Sequence, residues 1–202
     1  MRLLINTLIS VPFFLTSLFI LWKKLRDDYI ASQIFSLGFG IYFSLVAGFL
    51  LFHFFKFSYS EWFIVAAPVV VVLYLSNRGR MRLNELVNAL APLLYVSNIY
   101  YYLMLVILKN NYFALIGIFL SILFIIFYFL LEKNYKKLQW YKSGKIGFSG
   151  LFVLSVYFFM NSALAILIPD MVFFSGKINA IISMLLGLIF AFALTRLSKK
   201  VS

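Results

Sequence analysis

The chain reads as an all-α, polytopic membrane protein, a single transmembrane domain over 1–202 with about seven spanning helices. Four observations predict this. Hydrophobic residues make up 64% of the sequence and charged residues 12%, roughly half the charge of a soluble domain. The mean hydropathy is +1.02. The apolar runs are continuous rather than alternating at every second residue, which favours helices over a β-barrel. The basic residues alternate between rich and poor loops along the chain.

Leu3 to Trp22 is the first run, and twenty residues at ~1.5 Å each cover a hydrocarbon core of ~30 Å. It is too long for a signal-peptide core, and no small-x-small site follows. Pro12 is expected to kink it. Lys23, Lys24, Arg26, Asp27 and Asp28 form the first loop. Tyr29 to Phe55 is the second run. Its Gly40, Ser44 and Gly48 recur every four residues, a small-residue stripe suited to close helix packing; room for a lipid tail is the alternative. His53 near its outer end suits a hydrogen-bonded interfacial role or a general base. Glu61 to Ser76 is short and carries Pro68. Asn77 to Arg82 is a polar turn containing Gly79.

Leu83 to Leu108 carries the densest set of polar groups inside a span. Asn84 and Asn88 are four apart and share a helix face, with Glu85 beside it. Lipid cannot satisfy such groups, so this face is expected to point into the bundle or a water-filled cavity. Pro92 is expected to break the span. Asn98 and the run Tyr100, Tyr101, Tyr102 follow. After a short loop at Lys109 to Tyr112, Phe113 to Leu131 is an uncharged scaffold span. Glu132 to Gly147 mixes Lys133, Lys136, Lys137, Lys142 and Lys145 with Tyr135, Trp140 and Tyr141, a pattern suited to lying on an anionic leaflet. Phe148 to Ile168 holds Asn161 and Ser162 and ends at Pro169-Asp170. A turn at Ser175-Gly176-Lys177 leads to Ile178 to Leu194 and the basic tail.

Fourteen of the eighteen Lys and Arg fall in the first, third and fifth loops and the tail; Arg2, Lys56, Lys109 and Lys177 are the other four. That asymmetry places the N-terminus outside and the C-terminus in the cytoplasm, and it fits seven spans. The net charge of +12 is explained the same way, and the separated basic loops argue against nucleic acid as a partner. There is no cysteine and one histidine, so thiolate chemistry is excluded and no metal-ligand spacing is present. No cofactor is implied.

The order of features resembles the prolipoprotein diacylglyceryl transferase family. Lys23-Lys24-Leu25-Arg26-Asp27-Asp28-Tyr29-Ile30 followed by Gly38-x-Gly40 is similar to the family's basic loop entering its second span. Arg80-Met81-Arg82-Leu83 through Asn88-Ala89-Leu90-Ala91-Pro92 is similar to its basic turn and Ala-Pro pair. Gly150-Leu151-Phe152 and Pro169-Asp170 are similar to its sixth span and the loop after it. The resemblance implies a seven-span protein of the bacterial plasma (inner) membrane whose family moves diacylglyceryl from phosphatidylglycerol to a lipobox cysteine. At the family's charged signature positions this chain has Tyr102, Met160, Leu164 and Leu167. Its His-containing Gly-rich stretch falls near Trp62 to Val69, which has neither residue. Neutral side chains do not replace a bidentate hold on phosphate.

The expectation is therefore a catalytically degenerate relative, a pseudoenzyme that binds anionic membrane phospholipid or another membrane protein. Its candidate polar, lipid-binding residues are His53, Asn84, Glu85, Asn88, Asn98 and Asn161. An active phospholipid-dependent transferase with an altered site is the alternative, using His53, Glu61, Glu85 or Asn98. A small transporter or channel component, with spans broken at Pro68 and Pro92, is the third reading.

Overall fold

A computed structural model describes residues 2–54, 62–135, 146–168 and 176–198. Among these the chain forms seven α-helices and no strand. They are α1 (Arg2–Leu25), α2 (Ala31–Phe54), α3 (Phe63–Arg78), α4 (Leu83–Lys109), α5 (Ala114–Asn134), α6 (Phe148–Leu167) and α7 (Lys177–Ser198). Five of them, α2 and α4 to α7, are long and apolar enough to cross a membrane. The 16 residues of α3 cover ~24 Å, shorter than a hydrocarbon core. Glu61, Lys56, the basic segment from Lys136 to Lys145, and Pro169-Asp170 lie outside the described residues.

The chain divides into two compact units, Phe14–Leu86 and a second made of Met1–Phe13 with Val87–Ser202. The division falls inside α1 and α4.

In the unit of residues 14–86, α2 packs antiparallel on α3. The small-residue stripe faces that helix. A Cβ on Gly40 would meet the methyls of Leu75 and Val71 at 2.8 and 3.0 Å. Ser44 and Gly48 are buried on the same stripe. Gly38 instead receives Leu18 of α1. The packing reading of the stripe therefore holds, because glycine lets the helix surfaces approach without a side chain between them.

In the other unit, α5 runs antiparallel to α4, and α6 runs parallel to it. The pairings Tyr102 with Gly117, Tyr95 with Phe124 and Asn88 with Tyr128 set the first direction. Asn88 with Ser149, Tyr95 with Val153 and Asn98 with Tyr157 set the second. Ala91, Tyr95, Tyr128, Val153 and Leu154 form the buried cluster between these helices. An antiparallel partner, α7, joins α6 through polar contacts between small residues. Ser155 Oγ donates to the Gly187 carbonyl, Asn161 Nδ2 to Ser183 Oγ, and Ser162 Oγ to the Ala180 carbonyl. Without a hydrophobic drive in lipid, such contacts and close packing are what hold helices together.

One expectation fails. α4 is a single helix from Leu83 to Lys109 that runs through Pro92, so the span is not broken there. Pro92 is fully buried, and a neighbouring helix satisfies the carbonyl it leaves without a donor.

Candidate functional site

Proline has no N–H, so inside a helix it leaves the carbonyl four residues earlier without its donor. For Pro92 that carbonyl belongs to Asn88. The Tyr128 hydroxyl, from α5, donates to it. The Asn88 side chain is equally occupied. Its Oδ1 accepts from Ser149 Oγ at 2.8 Å and from the Gly150 N–H at 2.9 Å. Its Nδ2 donates to Glu132 Oε1 at 2.8 Å, and that oxygen lies 3.3 Å from the Tyr128 hydroxyl.

Gly150 is in the first turn of α6, where backbone N–H groups have no partner within the helix. The residue before α6 is Gly147, in a left-handed conformation at φ 108°, and it offers no side-chain cap. Asn88 of α4 supplies the cap from another helix. This requires a close approach: a Cβ on Gly150 would lie 2.7 Å from Asn88 Cα and 2.8 Å from the Val87 carbonyl. The Asn88 Oδ1 accepts two hydrogen bonds and its Nδ2 donates one, and these join α4 to α5 and α6.

Further along the same three helices they part slightly, around a cleft of about 40 Å³, room for a few water-sized groups. Its polar lining is Tyr95, Asn98, Tyr102, Ser121, Tyr157 and Asn161. Asn98 lies about 22 Å from the start of α4 at ~1.5 Å per residue, near the middle of the helix. The Tyr157 hydroxyl donates to Asn98 Oδ1 at 3.2 Å. Among the described residues Asn98 Nδ2 has no partner. The Ser121 hydroxyl is turned back onto the Gly117 carbonyl. The Tyr102 ring closes one side, within 2.7 Å of where a Cβ on Gly117 would stand. No residue lining the cleft carries a charge. Such a site can hydrogen-bond hydroxyl, ester or amide groups; it cannot neutralise a phosphate or move a proton through carboxylate or imidazole.

The remaining candidates lie elsewhere. Glu85 is buried in the first turn of α4 and accepts a hydrogen bond from the Tyr29 hydroxyl. Tyr29 also accepts the Arg82 backbone N–H at 2.9 Å. Burial and the Glu85 carboxylate push the Tyr29 hydroxyl above its usual titration range, although the Arg82 N–H opposes this. Asn84 is exposed, against the expectation for the Asn84–Asn88 face. It sits in the first turn of α4, while Asn88 one turn later is half-buried. The His53 side chain lies outside the described residues, within the last turn of α2.

Sequence reasoning brought Asn98 and Asn161 to attention separately, and the fold puts both on one cleft. It missed Tyr128, Glu132, Ser149 and Tyr29. For the first, Pro92 was the available signal, since it marks Asn88 as needing an outside donor. Among the described residues no group of three or more His, Asp or Glu could hold a metal ion. Comparison with protein-family models, curated proteins and solved structures finds no match for this chain.

Proposed function

We propose that this chain is a multi-pass protein of the bacterial plasma membrane that binds a phospholipid through the α4–α5–α6 cleft and catalyses no transfer from it. Seven spans, an outside N-terminus and a cytoplasmic C-terminus belong to the same reading. One observation supports it most. Tyr102, Met160 and Leu164, three of the four positions at which the diacylglyceryl transferase resemblance calls for charge, all line this cleft, and all are neutral. The cleft keeps amide and phenol groups that suit the glycerol ester region of a lipid. It lacks a cation to stabilise a leaving phosphate, and losing one such donor typically costs about 10²–10³ in rate.

The test has two arms. Purified protein incubated with phosphatidylglycerol and a lipobox peptide is expected to give no lipidated peptide, and the gene is expected not to rescue a cell depleted of its own transferase. Native mass spectrometry is expected to find retained phospholipid, with one lipid fewer per chain in Asn98→Leu and Asn161→Leu variants that elute as folded protein. Rescue by the unaltered chain would sink the non-catalytic reading. Full lipid retention in both variants would sink the assignment of the cleft.

A further inference from the structure

Among the described residues, the cations of 14–86 are gathered by a specific contact, not scattered along the chain. Lys23, Lys24 and Arg26 belong to the end of α1 and the loop after it; Arg78, Arg80 and Arg82 belong to the end of α3 and the turn before α4. Tyr29 ties the two together by accepting the Arg82 N–H and donating to Glu85. A second point of contact is Gln33, whose Nε2 lies 3.9 Å from where a Cβ on Gly79 would be.

Six cations, Lys23, Lys24, Arg26, Arg78, Arg80 and Arg82, stand with three acids, Asp27, Asp28 and Glu85, so the two segments keep a net positive charge. Glu85 is engaged by Tyr29, and Arg82 reaches it at 3.4 Å while keeping its side chain 80% exposed. Asp27 meets Arg26 at 3.6 Å in a solvent-exposed pair that is worth little. The Arg26 guanidinium lies 4.9 Å from the Trp22 ring centroid, and indole rings favour the level of lipid head groups. Lys24 is brought down to about 8 by burial and by the charge of Lys23 beside it.

The turn itself is unusual. Gly79 has an ordinary φ of −82°, and the left-handed position falls on Arg80, at φ 52°. Residues with a Cβ adopt that conformation rarely, and backbone outliers of this kind concentrate at binding sites. The Met81 N–H to the Ser76 carbonyl, at 2.9 Å, helps hold it. An arginine is thus kept where glycine would fit better, one residue after a glycine.

We propose that the α1–α2 loop and the α3–α4 turn form one binding site for the phosphate-bearing head group of an anionic phospholipid, with Tyr29 fixing the two halves in register. Arg80 and Arg82 supply the charge-assisted hydrogen bonds. Lys23, Lys24 and Arg26 supply attraction from the opposite side. Trp22 marks the depth. The site is independent of the α4–α5–α6 cleft, and it stands whether or not that cleft holds lipid.

The experiment is native mass spectrometry of the full chain after exposure to equal phosphatidylglycerol and phosphatidylcholine. A preference for phosphatidylglycerol is expected. Arg80→Gly and Arg82→Gln are each expected to weaken it about five-fold. Arg80→Gly is the sharper of the two, because it relieves the turn while removing the charge: stability holds or rises as lipid preference falls. Tyr29→Phe is expected to weaken preference with every charge retained, and Lys177→Gln, at the start of α7, to leave it unchanged. If Tyr29→Phe does not fold, the Lys23→Gln, Lys24→Gln double variant is expected to weaken preference in its place. Equal retention of the two lipids would overturn the site. So would full preference in Arg80→Gly, or displacement of the lipid by millimolar inorganic phosphate.

Discussion

Pro92 offers no N–H to the Asn88 carbonyl, and the Tyr128 hydroxyl takes over that bond. Tyr128→Phe therefore leaves a buried acceptor unsatisfied, at a cost of about 1–3 kcal/mol. In a Pro92→Ala background the backbone can close its own bond, so the same change is expected to cost less than half as much. Unfolding midpoints of the four proteins in one detergent check this; equal costs in the two backgrounds would refute the substitution of donors. Tyr29 gives a pH prediction. Its titration is raised from 10.0 in the folded state, so its contribution is fully present below about pH 10 and fades as pH rises through the higher folded value. The stability gap between the unaltered chain and Tyr29→Phe is expected to shrink as pH rises above 10, as read by tryptophan fluorescence. At this scale the sequence exposed Asn88 as a polar group inside a span, and it concealed the partners. Ser149, Glu132 and Tyr128 lie 61, 44 and 40 residues away, and nothing local connects them.

Helix contacts were easier to read than side-chain partners. A four-residue repeat of small residues is a local pattern, so Gly40, Ser44 and Gly48 announce a packing face before any fold is known. The contact at Gly150 carries no such repeat, and Asn88 was visible only as half of it. The two glycines differ physically. The neighbours of Gly40 are the methyl ends of Leu75 and Val71, which can turn aside; those of Gly150 are the backbone atoms of Asn88 and Val87, which cannot. Gly150→Ala is thus expected to destabilise by about 1–3 kcal/mol, and Gly40→Ala by clearly less. Thermal unfolding of both variants checks the order, and a reversed order would show that α4 and α6 can separate cheaply. Gly48→Leu, with far more added volume on the α2 stripe, is expected to lower abundance and stability together. Normal levels and an unchanged midpoint would mean that this part of the stripe faces lipid.

At the largest scale, hydropathy was enough to foretell that the described residues are all helical and that several helices are long and apolar enough to cross a membrane, because hydropathy follows directly from the solvent around each segment. The break at Pro92 was misjudged for the same reason: a proline is a local signal, while the donor that repairs it comes from another helix. Orientation remains a prediction with a clean test, since the chain has no native cysteine. Asn110→Cys is expected to label from outside sealed vesicles and Lys142→Cys from the cytoplasmic side; labelling from one side would remove the seven-span topology. The cross-helix cap on α6 bears on biosynthesis as well. A nascent α6 leaving the ribosome meets its cap in α4, a helix already delivered to the membrane, whereas α4 waits for α5 to supply the donor for its stranded carbonyl. Chains truncated before α5 are therefore expected to hold an unsettled α4 at the insertion machinery, and release to the lipid would come as the three helices lock together rather than one at a time.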